Sequence, residues 1–258
     1  MRRISSKYDS AMRDDLTADA RVQSDSSSII GRLLDEISWE GNARRYRGGG
    51  RGKENVLTAE VLYPLDLLPR TSFLGEVIAG AHGADAARQR MTQEVERATL
   101  SFLPGDLSLA NSTIRVQPDA LLTSPSCYTF IEAKRIRPSR FQTDQLAREL
   151  IATIQQAGDR FPLLLVILGS PPPVVVDKIA GRVSLEDAII QRLGSVNAQF
   201  HTEDLLSRIP EVLAWTTWSA IRDVLVASRD RSSTSPDTVA ATVTRLCAAA
   251  ISAIDWHS

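Results

Sequence analysis

Two carboxylates and a lysine in this 258-residue chain have the types and spacing that phosphoester chemistry needs: Asp119, Glu132 and Lys134. Hydrolysing a phosphodiester near neutral pH requires an activated water and stabilisation of the negative charge that grows on the phosphoryl oxygens. A Mg2+ ion supplies both, and it prefers hard oxygen ligands in near-octahedral geometry. Two carboxylates converging from adjacent strands would hold it, and a lysine beside them would orient the water or help deprotonate it. Glu132 and Lys134 are two positions apart, so on a strand their side chains project to one face of the sheet. A hairpin carrying Asp119 late in its other strand would bring that carboxylate against the same face.

The elements that would position these residues follow from patterning. Residues 113–122 alternate at period two, Ser124-Pro125-Ser126 makes a turn, and the segment from Cys127 to Lys134 reads as the return strand. Thr143-Asp144 caps the next helix, which sets Leu146, Leu150, Ile151 and Ile154 on one face and ends at Gly158. Residues 163–168 are continuously apolar, as a central strand covered on both faces must be. Upstream, Val56, Leu57, Val61 and Leu62 follow helical spacing, with Pro64 limiting that helix. Further helices are predicted over about 72–81 and 84–103, and 107–110 is the one short candidate for a strand ahead of the hairpin. After Val174-Val175-Val176 the pattern is helical again, with Trp215 and Trp218 read as core residues of a helix rather than a base-stacking pair. A polar linker over 228–236 leads to Asp237, which caps a final Ala-rich helix. Residues 1–28 read as a polar tail, whose serine cluster caps a short helix reaching about Trp39.

Pro118-Asp119 followed by Glu132-Ala133-Lys134 resembles the signature of the PD-(D/E)XK nuclease superfamily. The resemblance spans roughly 54–176 and implies a restriction-endonuclease-like α/β fold. Its mixed central sheet is flanked by helices in the order helix, three antiparallel strands, helix, strand. The expected organisation is an N-terminal tail with a short helix and a basic Gly-rich loop over 1–53, a nuclease-like core over 54–180, and a C-terminal helical extension packed on the core over 181–258. The resemblance further implies that Asp119 and Glu132 bind Mg2+, with Mn2+ able to substitute, and that Lys134 positions the attacking water. It also implies an auxiliary carboxylate from the first core helix. Glu54 is the preferred match, with Glu96 and Glu40 behind it. A polar helix after the E-X-K strand would touch the substrate backbone through Gln145 and Arg148.

Composition sets the boundary conditions. Net charge is −1, so a nucleic-acid site must be a local basic patch rather than a property of the whole surface. Arg44, Arg45, Arg47, Arg51 and Lys53 surround a run of three glycines, and Arg135 and Arg137 follow the E-X-K strand, where guanidinium geometry suits phosphates. Aromatics are 5%, too few for a single-strand binder built mainly on stacking. The two cysteines and three scattered histidines show no ligand spacing, which disfavours a zinc hydrolase and a disulfide framework. No apolar leader or membrane-spanning segment is read, and the expected location is the cytoplasm.

The expected function is therefore a metal-dependent nuclease acting on DNA in preference to RNA, by family association in restriction or phage defence. A homodimer or a partner protein would supply target recognition. Two competing expectations stand beside it. A nuclease-like domain can be kept as a catalytically inactive nucleic-acid-binding or assembly subunit, and Glu132 and Lys134 can simply form a solvated strand face. A functional site requires Asp119, Glu132 and Lys134 to cluster at one edge of the sheet; Glu132 and Lys134 in a dry apolar layer, or Asp119 on the opposite face, would exclude it.

Overall fold

The computed structural model describes residues 52–109, 115–136, 140–196, 202–232 and 238–258, with side chains from Asn55 onward. The architecture is α/β: a mixed five-stranded sheet with helices on both faces. Helices α1 (Gly52–Leu67), α2 (Leu74–Ala79) and α3 (Asp85–Glu94) precede strand β1 (Thr99–Phe102). A short antiparallel ribbon follows, β2 (Leu107–Ser108) with β3 (Arg115–Val116). Next come β4 (Ala120–Thr123), β5 (Cys127–Ala133), α4 (Gln145–Ala157) and β6 (Phe161–Leu168). The chain closes with α5 (Leu185–Val196), α6 (Thr202–Val212), β7 (Leu213–Thr217), α7 (Trp218–Ser232) and α8 (Thr238–His257). Sheet order is β1-β4-β5-β6-β7, antiparallel through the first three strands and parallel from β5 onward.

Alternation along the strands divides the core in two. Ile131 and Ala133 of β5, Ala120 and Leu122 of β4, and Leu163, Leu165 and Ile167 of β6 pack on one face with residues of α1, α2, α3, α7 and α8. Phe130, Leu164, Val166 and Leu168 pack on the other with α4, α5 and α6. Strand β6 is thus apolar on both sides, and Leu163 to Leu168 are all buried, as a parallel central strand requires. Helix α4 buries Leu146, Leu150, Ile151 and Ile154 against the second face and ends at Gly158, whose φ of +58° favours glycine. Asp144 sits at its N-cap without a side-chain cap bond. The neighbouring Thr143 hydroxyl donates instead to the Asp177 carbonyl at 3.1 Å.

Several sequence expectations are corrected. The helix expected over 84–103 ends at Glu94, and Thr99–Phe102 is the first strand of the meander, hydrogen-bonded to β4 from Thr99↔Thr123 to Phe102↔Ala120. Leu107–Ser108 belongs to the small ribbon and not to that sheet. Pro64 lies inside α1 rather than ending it. Segment 181–258 is not wholly helical, because Leu213–Thr217 forms the fifth strand, parallel to β6. Trp215 therefore lies on a strand, stacked on His82 with ring centroids 4.3 Å apart, while Trp218 opens α7 and is fully buried. The helix α7 runs to Ser232, through much of the expected linker. Helix α8 is long enough, at mean hydropathy 1.3, to cross a bilayer by length and composition, which the sequence reading did not find. Its Cys247, Ala250 and Ile254 lie in the core.

The β4–β5 turn is tied down by Glu94, which accepts from the Ser126 hydroxyl (2.7 Å), the Ser124 hydroxyl (2.7 Å) and the Ser126 amide (3.0 Å). Those bonds, led by the Ser126 hydroxyl, draw its carboxyl from the ordinary 4.5 down to about 2. A lowered folded-state value means the contribution is complete above pH 4.5 and lost as pH falls through about 2. We expect Glu94→Gln to be less stable than wild type at pH 7, with the gap narrowing toward pH 2. Urea midpoints at pH 7, 4 and 2.5 check this, and a pH-independent gap would assign the loss to packing alone.

Candidate active site

Strand register builds the site. Ala120 pairs with Ile131, so Asp119, the residue before β4, stands opposite Glu132. The Asp119 amide donates to the Ile131 carbonyl (3.1 Å), its carbonyl accepts from the Leu103 amide (3.0 Å), and its Oδ2 accepts from the Ala133 amide (2.7 Å). This half-buried carboxylate is thereby clamped to the end of β5 from both directions. Glu132 and Lys134 share a face, as their spacing requires, and are 4% and 7% exposed. They are not a solvated strand face. The Lys134 Nζ donates to Glu132 Oε1 at 2.6 Å and lies 5.0 Å from the centroid of the Phe141 ring. Its backbone is fixed separately, the amide donating to the Ile167 carbonyl (2.7 Å) and the carbonyl accepting from the Trp218 indole (2.6 Å).

Helix α4 closes the site from the side. Gln145 Nε2 donates to Glu132 Oε1 at 2.5 Å, so the residue expected to touch a substrate backbone orients a signature carboxylate. One turn on, Glu149 is 2% exposed and its Oε2 has no hydrogen-bond partner. Burial pushes the Glu149 carboxyl well above the usual carboxylate range. The Glu132 charge adds to that push and Asp119 adds less, while Lys134 and a Gln145 hydrogen bond oppose it. The sequence reading did not single Glu149 out. Its signal is the four-residue interval from Gln145, which places both on one helix face.

Asp119, Glu132, Lys134, Gln145 and Glu149 line a cavity of about 430 Å³. Arg115, Arg135, Arg140 and Arg148 stand around the same cavity, and Asn55 brings the start of α1 to it. Arg148 Nε donates to the Asp144 carbonyl at 3.3 Å, which holds the side chain along its helix. Gly169, just past β6, supports the segment after Lys134, because any Cβ there would collide with the carbonyl oxygens of Arg135 and Ile136. Arg44, Arg45, Arg47, Arg51, Arg137 and Glu40 lie outside the described residues, as do the side chains of Lys53 and Glu54. Glu96 is exposed and accepts from the Thr71 amide and hydroxyl, so it serves that turn. A larger cavity of about 590 Å³ opens beside Phe161 and Pro162, at the opposite end of β6 from the site. It brings together Arg160, Arg208 and the start of α3 without a cluster of buried carboxylates.

The donor set suits a hard divalent cation. Asp119 and Glu132 offer carboxylate oxygens, and Glu149 adds a buried oxygen that lacks a partner. Among the described residues no three His, Cys, Asp or Glu side chains come together as a closed metal cage. Mg2+ does not need one, since it is commonly held by one or two carboxylates, with water and substrate phosphate completing its shell. A thiolate metal is disfavoured, because burial pushes both Cys127 and Cys247 up to about 11. No family model, curated protein or solved structure matches this chain.

Proposed function

We propose that this chain is a Mg2+-dependent phosphodiesterase acting on DNA, in preference to RNA, with a restriction-endonuclease-like core. One observation carries the reading: Asp119, Glu132 and Lys134 converge on one cavity from the meander strands that the PD-(D/E)XK pattern assigns them. The element order supports it. A helix precedes three antiparallel strands, and a further helix leads to a strand parallel to the third.

When bound, the Mg2+ ion would polarise the phosphoryl group and acidify a water. Asp119 and Glu132 would hold it there. Lys134, fixed through its own backbone, directs its ammonium to the attacking water and to the charge developing on phosphorus. Gln145 keeps Glu132 in place, and Arg135, Arg140 and Arg148 bring cations to the cavity for phosphate to meet, while Arg115 is paired with Asp106 at 3.3 Å. Hydrolysis forms one bond from water oxygen to phosphorus and breaks one ester P–O bond. The water's proton is released as the leaving oxygen gains one.

A second reading has its own observation. Glu132 Oε1 is already satisfied by Lys134 and Gln145, as in a nuclease-like scaffold retained for binding or assembly. Metal linkage separates the two. Under the enzymatic reading, Mg2+ or Mn2+ at about 100 times its Kd stabilises the wild type by about 2.7 kcal/mol, and Asp119→Asn by far less. Thermal unfolding with and without metal decides it, and equal shifts in both proteins would favour the scaffold.

A further inference from the structure

A carboxylate is strongly hydrated, so burying one without a partner is costly unless something in the functional state binds it. Glu149 is such a group. Its side chain is 98% removed from solvent, its Oε2 has no hydrogen-bond partner, and it lines the same cavity as Asp119 and Glu132. Gln145 bonds the Glu149 carboxyl and the Lys134 charge acts on it, but among the described residues no donor is paired with Oε2. The other deeply buried residues of α4, such as Leu146, Leu150 and Ile151, are apolar and pack in the core, whereas Glu149 lines the polar cavity. The position takes a carboxylate although packing alone does not call for one.

We propose that Glu149 belongs to the divalent-cation site, its Oε2 accepting a hydrogen bond from a water in the cation's shell. This rests on the metal-dependent reading above. The proposal takes the water-mediated form because Asp119, Glu132 and Glu149 line one cavity but are not gathered, among the described residues, into a three-ligand group. Gln145, one helical turn before Glu149, donates to Glu132, so one face of α4 both orients a cation ligand and holds the outer shell. Glu149 is then a positioning residue for the cation and its water. It explains how two signature carboxylates form a specific site without a third direct ligand. Partners that act on a metal through its ligands or waters are commonly worth 10- to 100-fold in affinity.

The test is Mn2+ binding, followed by calorimetry and by the electron paramagnetic resonance of the free ion, in wild type, Glu149→Gln, Glu149→Met and Asp119→Asn. Neither Glu149 variant keeps a buried charge, so both should fold at least as well as wild type without metal. We expect both to bind Mn2+ about 10- to 100-fold more weakly, with unchanged stoichiometry. Asp119→Asn should bind more weakly still. If the Glu149 variants match wild type while Asp119→Asn loses Mn2+, Glu149 has no part in the site and the phosphodiesterase reading stands. If Asp119→Asn also matches wild type, the metal reading itself fails. Should one Glu149 variant misfold, the other carries the comparison, and weakening confined to Glu149→Met would overturn the proposal by tracing the effect to shape.

Discussion

Asp119→Asn should lower phosphodiester cleavage by about 10³-fold or more while leaving the fold intact. Asparagine is nearly isosteric and its side-chain oxygen can still accept the Ala133 amide, so the clamp between β4 and β5 survives. What disappears is the negative charge facing Glu132. Under the proposed reading Asp119 is a cation ligand that acts mostly in the transition state, where phosphoryl charge is greatest, so the loss should appear in kcat rather than in DNA affinity. Circular dichroism and single-turnover cleavage on the same preparation separate the two. Cleavage within about twofold of wild type would remove Asp119 from the chemistry.

Lys134→Ala has the second large effect, and it is double. The ammonium is one of the two donors to Glu132 Oε1 and lies in a pocket it shares with Glu149 and Asp119. Removing it leaves Asp119, Glu132 and Glu149 without that cation beside them. Breaking a buried pair from one side typically costs about 3–5 kcal/mol. The strand end itself should hold, since Ile167 and Trp218 anchor the Lys134 backbone. We therefore expect a metal-free protein destabilised by about that amount and partly restored by Mg2+, which replaces the missing positive charge. Turnover should fall by about 10²-fold or more even at saturating metal. Urea denaturation with and without Mg2+, together with single-turnover rates, checks both halves. Destabilisation that Mg2+ leaves unchanged would mean that the cation does not share the Lys134 environment.

The signature residues were legible because period two is rigid: once residues 127–134 form a strand, Glu132 and Lys134 must share a face. The central position of β6 was legible for a similar reason, as a six-residue apolar run needs cover on both sides. Strand β1 was not. Residues 84–97 have strong helix formers, and no proline or glycine interrupts them before Pro104, so helical patterning runs on into Thr99. Its strand state comes from pairing with Thr123 to Ala120, which is tertiary. Strand β7 was hidden likewise. It has five residues, follows α6 directly and gives way to α7 at Trp218, with no loop residues to mark either end.

Glu149 was illegible for a different reason. In the sequence it stands next to Arg148, outside the stripe of Leu146, Leu150, Ile151 and Ile154, where a carboxylate reads as solvent-exposed. Only the packing of α4 on the sheet shows that it is buried and turned toward Glu132. Gln145 shows the same limit: the resemblance implied a substrate contact for its helix, and only the fold shows its amide donating to Glu132.

The most direct test of the central claim is hydrolysis of labelled double- and single-stranded DNA, with RNA alongside. Wild type, Asp119→Asn and Lys134→Ala are each assayed in Mg2+, in Mn2+ and in excess chelator. The account predicts cleavage of DNA by wild type that requires the metal, is abolished by chelator and is lost in both variants, whose folding is verified in the same buffers. Cleavage that survives chelation or either substitution, or no cleavage of any of these nucleic acids by wild type, would contradict it.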